Sequence, residues 1–94
     1  MGRLIFAGEA EADALAQRLC IETRESVGLL TRATGPLALR RVITEMGDGR
    51  MPIVVATQKW DIGWRAPRGW TVEFDKSFTE DLRHRAQARA RVPA

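Results

Sequence analysis

Pro52-Ile53-Val54-Val55-Ala56-Thr57 runs into Gln58-Lys59-Trp60-Asp61-Ile62-Gly63-Trp64-Arg65-Ala66-Pro67, and the reading of this stretch decides the fold. Ile53 to Ala56 are apolar at every position, opened by a proline and closed by a polar threonine. A strand without a polar face has no side for water, so it belongs inside a parallel sheet covered on both faces. Open sheets of this kind bind ligands beyond the carboxyl ends of their strands. Thr57 then stands at that edge, where its hydroxyl can reach a phosphate or sugar oxygen.

The flanking segments supply the rest of such a sheet. Leu4 to Ala7 predicts a first strand, and Ala10 to Leu19 a helix with Ala12, Leu15, Ala16 and Leu19 on one face. Glu9, Glu11 and Asp13 suit the positive N-terminal turn of that helix. Glu22-Thr23-Arg24-Glu25 is compatible with loop, edge strand or continued helix. Val27 to Thr31 predicts a second strand. Pro36 opens a helix through Met46 with Leu39, Val42, Ile43 and Met46 inward, ended by Gly47 and Gly49. After the third strand, Arg65 to Gly69 reads as loop and Thr71 to Phe74 as a fourth strand, and Thr79 is placed to cap an arginine- and alanine-rich helix. Strands alternating with helices give a mainly parallel, right-handed α/β sheet.

Thr57, Gly63 and Pro67 also fall at the spacing of motif V of superfamily 2 helicases, with Arg65 where relatives carry aspartate. Arg3-Leu4-Ile5-Phe6-Ala7 resembles the motif IV strand. Val27-Gly28-Leu29-Leu30-Thr31 and Thr34-Gly35-Pro36 resemble the strand and helix start that follow, and Met46 to Arg50 the turn before motif V. Arg85-Ala86-Gln87-Ala88-Arg89-Ala90-Arg91 resembles motif VI, the arginine-finger helix. The matches run in order along nearly the whole chain, which thus resembles the second, C-terminal RecA-like domain of a superfamily 2 helicase or translocase. The resemblance implies a three-layer RecA-like domain with a mainly parallel sheet flanked by helices, covering residues 1–94.

Several consequences follow from that resemblance. No Gly-rich loop ending in Gly-Lys-Ser/Thr occurs, so ATP and magnesium are expected only at an interface with a first helicase domain on another chain or elsewhere in the gene product. Gly63 and Arg65 fall on the nucleotide side, and the arginine in place of an acid points either to a degenerate ATP site or to a basic loop serving nucleic acid. Arg89 occupies the first-finger position, with Arg85 where a glutamine is usual. If Gln87 is the family glutamine, Arg91 takes that role instead. Thr31, Arg32, Thr57 and Gln58 are expected on single-stranded or duplex DNA, or on RNA. The plainer account of each is a polar residue ending a buried strand. The two functional readings are a subunit that couples ATP hydrolysis to nucleic-acid movement, of the kind a compact phage uses in DNA replication, and an inert module that binds nucleic acid or a replication protein.

Composition limits the choice. With 94 residues the chain makes one small domain. Fifteen Lys and Arg against twelve Asp and Glu give a net charge of +3, too small alone to establish nucleic-acid binding, but the basic residues gather after Trp64. The single cysteine, Cys20, excludes an internal disulfide and reads as a small buried thiol, consistent with a reducing cytoplasm in a bacterial cell or a phage-infected host. No apolar run is long enough to cross a membrane. Trp60, Trp64 and Trp70 alternate with Lys59, Arg65 and Arg68, a pattern open to core packing, base stacking or a partner-domain interface. Trp60, nearer the buried strand, is expected inside, and Trp64 exposed as the stacking residue. His84, the lone histidine, has no neighbour in sequence that makes it a catalytic base or metal ligand.

Overall fold

The computed structural model describes residues 2–79 and 81–93. Four strands, β1 (Arg3–Phe6), β2 (Val27–Leu30), β3 (Ile53–Ala56) and β4 (Thr71–Phe74), form one sheet in the order β2-β3-β1-β4. Every pairing is parallel, with Arg3 in register with both Ile53 and Thr71. Three helices, α1 (Ala12–Thr23), α2 (Pro36–Gly47) and α3 (Leu82–Arg89), cover the faces and complete a three-layer α/β arrangement of the RecA-like type.

Alternation along the strands builds two cores. Ile5, Ala7, Ile53 and Val55 point to one face and bury the apolar stripe of α1: Ala12, Leu15, Ala16 and Leu19. Leu4, Phe6, Val54 and Ala56 point to the other and meet Val42 and Met46 of α2, Ala88 of α3, and Trp64, Trp70 and Phe78 from the connections. Leu39 and Ile43 lie partly buried against that second core. β3 is buried at all four positions, as its apolar run demands. Phe6 and Phe78 sit with ring centroids 5.6 Å apart, and each fully buried ring contributes on the order of 2 to 3 kcal/mol.

Of the alternatives open after Leu19 the structure takes the continued helix, and two local features, the exposure of Cys20 and the cap of α3, differ from the sequence expectation. α1 runs through Cys20 to Thr23 and stops at Arg24, whose left-handed φ of 57° turns its N–H onto the Cys20 carbonyl. The added turn carries Cys20 on the solvent side, so this thiol is exposed rather than buried. α3 is capped by Asp81, whose carboxylate accepts the His84 N–H at 3.1 Å, and not by Thr79. The turn after β3 is a single 3-10 turn, Gln58–Trp60. Among the described residues no helix is long and apolar enough to cross a membrane.

Candidate functional site

β1 and β3 are neighbours, yet the chain leaves them in opposite directions. From β1 it passes through Gly8 and Glu9 to α1 on one face. From β3 it passes through Thr57 to Lys59 and on to the tryptophan loop on the other face. A parallel sheet opens a crevice where adjacent connections diverge in this way. Here the crevice has a volume of about 320 Å³, and Gly8, Glu9, Arg32, Gln58, Lys59, Asp61 and His84 are among the residues that line it.

Gly8 is required by close approach. Its N–H donates to Ser77 Oγ at 3.0 Å, and a Cβ there would lie 2.7 Å from the Ser77 carbonyl oxygen. The turn after β1 is thereby pressed against the turn after β4, which Asp75 stabilises by accepting both the hydroxyl and the N–H of Ser77. Those two bonds outweigh burial and hold the Asp75 carboxyl below its ordinary range.

The acidic groups of the crevice are engaged by the protein. Glu9 Oε1 accepts the Arg32 N–H at 2.7 Å, tying the first connection to the second. Burial pushes the Glu9 carboxyl up, but the Arg32 N–H, the Thr57 hydroxyl nearby and the charges of Arg32 and Lys59 together bring it below the usual glutamate value. Asp61, 3% exposed, places Oδ2 2.8 Å from His84 Nδ1, and Gln58 Nε2 lies 3.1 Å from His84 Nε2. Assigning the imidazole hydrogen to Nδ1 satisfies both contacts: Nδ1–H donates to the carboxylate, and Nε2 accepts from the amide. On the rim, Lys59 Nζ donates to the Arg32 and Thr34 carbonyls at 3.1 and 3.3 Å, which leaves one of its three donors, and Arg32 is exposed.

Of the residues singled out for nucleic acid, Arg32 and Gln58 line this crevice. Thr31 is half-buried and builds the turn below it. Its N–H donates to Thr34 Oγ1, its hydroxyl accepts the Ala33 N–H and its carbonyl accepts Trp60 Nε1–H. Thr57 is wholly buried, and its Oγ1 completes no hydrogen bond among the described residues, so the hydroxyl expected on a backbone phosphate lies beneath the crevice surface, out of reach of solvent. The expectation for Trp64 is also overturned. Its ring is 6% exposed and its Nε1–H donates to the Trp60 carbonyl at 2.6 Å, because the loop folds back under α3; Trp60 is the half-buried member.

The residues assigned to ATP lie outside the crevice, with Arg85 and Arg89 over the Phe74 ring and Arg91 on the loop that holds Gly63 and Arg65. Arg91 donates to the Trp64 and Gln87 carbonyls at 2.8 and 3.3 Å, and Arg85 to the Phe78 carbonyl at 3.3 Å. Arg89 is exposed, with its guanidinium 4.9 Å from the Phe74 ring centre. Gly63 and Arg65 are exposed, and Gly63 serves a turn with φ of 91°. None of the five lines the crevice, and two of the three arginines are spent on holding carbonyls of their own chain. These residues do not by themselves fit a nucleotide with its magnesium.

Glu9, Lys59, Asp61 and His84 were not marked as site residues by the sequence. Glu9 and Lys59 follow directly from the strand ends. Asp61 and His84 lie in a loop and a helix whose meeting no spacing rule announces. No family model, curated protein or solved structure matches the chain.

Proposed function

We propose that this chain is a RecA-like α/β module that binds the phosphate backbone of nucleic acid at the carboxyl edge of its sheet, resembling in plan the second RecA-like domain of superfamily 2 helicases. The observation that carries the reading is the crevice between β1 and β3. Its carboxylates are engaged by the Arg32 N–H and by His84, while Arg32 and the remaining donor of Lys59 face the rim beside the Gln58 amide. Such a rim suits phosphate oxygens and carries little means of reading bases. A cytoplasmic setting accompanies this reading.

Binding of a labelled single strand, followed by fluorescence anisotropy across a salt series, tests it. Affinity is expected to be modest, largely independent of sequence and steeply weakened by salt. Arg32→Ala should lower affinity for every sequence and reduce the salt slope by about one. Absence of binding at low salt, or binding that salt leaves unchanged, rejects the proposal.

A second reading, in which the module completes an ATP-driven engine with a separate first helicase domain, is favoured by Arg89 alone: its guanidinium is exposed and makes no hydrogen bond among the described residues. Its test is nucleic-acid-stimulated ATP hydrolysis by a reconstituted pair. Arg89→Ala should lower that rate by about 10³-fold or more if this residue is a finger.

A further inference from the structure

The two edges of the sheet are unequal. β4 presents Glu73, which Arg3 of β1 grips with two hydrogen bonds of 2.7 and 2.9 Å, and charge of this sort guards an edge against unplanned pairing. β2 is Val27-Gly28-Leu29-Leu30, without charge or proline, and no strand pairs with its outer side among the described residues. Beside it runs a groove of about 460 Å³, whose lining includes Gly28 and Leu29 of β2, Leu37, Arg41 and Glu45 of α2, and Met51. Leu37 is 80% exposed, a large apolar side chain held in water at the lip of an unguarded edge.

We propose that this edge is a homodimer interface, in which a second copy of the chain adds its own β2 antiparallel across a two-fold axis and sets its α2 against the groove. The occupant is a second copy because the groove is complementary to itself. Arg41 and Glu45 stand one turn apart on α2, and neither forms an ion pair with its own chain among the described residues. A two-fold axis reverses their order, so that each Arg41 meets the partner's Glu45 and each Glu45 meets the partner's Arg41. Pairing β2 with β2 joins two four-stranded sheets into one and takes up the backbone groups that the edge leaves open. Leu37 of each copy is covered in the same movement. The groove and the crevice share no lining residue.

Sedimentation equilibrium of the full chain tests the interface. The mean mass should rise with concentration from one chain toward two and stop there. Arg41→Glu and Glu45→Arg should each weaken dimerisation about tenfold or more by setting like charges together, and the double variant should restore it. Leu37→Lys, at a side chain that contributes little to the core, should weaken it as well; circular dichroism confirms that each variant keeps its helices. A single-chain mass up to the solubility limit overturns the proposal. So does a mass that grows past two chains, a dimer indifferent to both charge reversals, or a double variant no tighter than the singles.

Discussion

Asp61 Oδ2 and His84 Nδ1 lie 2.8 Å apart and join the loop after β3 to α3. The helix needs such a tether. Only Ala88 of α3 is buried, and the rest of its surface is largely arginine and alanine, so its apolar contribution to the core is small. His84→Ala would leave the Asp61 carboxylate buried without its partner, at a cost of about 1 to 3 kcal/mol. The melting temperature should fall by several degrees for a domain of this size. Asp61→Asn, whose amide oxygen still accepts from Nδ1–H, should lose less. Identical melting of His84→Ala and the parent chain would show that α3 is held by other contacts.

Trp64 and Arg91 make a second tie between the loop and the C-terminal segment. The Arg91 guanidinium donates to the Trp64 carbonyl at 2.8 Å and the Arg91 carbonyl accepts the Ala66 N–H, while the Trp64 ring is buried in the core. Trp64→Ala should cost about 3 to 5 kcal/mol and Trp60→Ala less, since Trp60 is only half-buried. Arg91→Ala should also destabilise, with Arg89→Ala nearly silent. Urea titrations monitored by circular dichroism rank the four variants; a Trp60→Ala chain weaker than Trp64→Ala would contradict the burial described above.

Thr57 is a buried hydroxyl without a hydrogen bond among the described residues. Valine has almost the same shape and no group to desolvate, so Thr57→Val should leave stability unchanged or raise it by up to about 1 kcal/mol. Nucleic-acid binding should be unaffected, because the side chain does not reach solvent. A large loss of affinity in this variant, with the fold intact, would return Thr57 to the binding surface.

Three carboxylates make the fold sensitive to acid. Arg3 holds Glu73 below the ordinary glutamate range through hydrogen bonds that outweigh burial, and Asp75 and Glu9 are lowered as described. A folded-state pKa below the unfolded one gives stability that is complete above the unfolded value and is lost as pH falls through the folded value. Melting temperatures should therefore hold steady from neutrality downward and decline below about pH 4. Each contribution is small, since all three groups are partly solvated. Glu73→Gln should lower the plateau slightly and flatten the decline; an unchanged acid limb would discount the Arg3 pair.

How much of this was legible depends on where the deciding contacts lie. β3 could be read directly, because four apolar residues in succession leave no face for water. The stripe of α2 was equally plain from Leu39, Val42, Ile43 and Met46. The end of α1 was not, since Cys20 and Ile21 are exposed and no apolar period marks the last turn; the left-handed Arg24 sets the stop. Thr79 and Asp81 are both good caps two positions apart, and the position of α3 against the loop selects between them. Arg32 and Gln58 were visible in the sequence because strand ends in a parallel sheet share an edge. The Asp61–His84 contact depends on where α3 lands, and Trp64 is buried because its loop folds back beneath that helix, so neither could be read from sequence distance.

The interior place of β1 has a consequence for how the molecule is made. Its residues register with β3 on one side and β4 on the other, Arg3 meeting both Ile53 and Thr71. On the ribosome β1 thus emerges before either of its neighbours and waits longest for the second, since Thr71 follows Arg3 by 68 positions (71 − 3). No hairpin among the described residues offers an early local contact, so assembly is expected to be slow. During that interval Leu4 and Phe6 stand uncovered, and a nascent chain halted before Thr71 would present an open apolar strand to any chaperone or neighbour within reach.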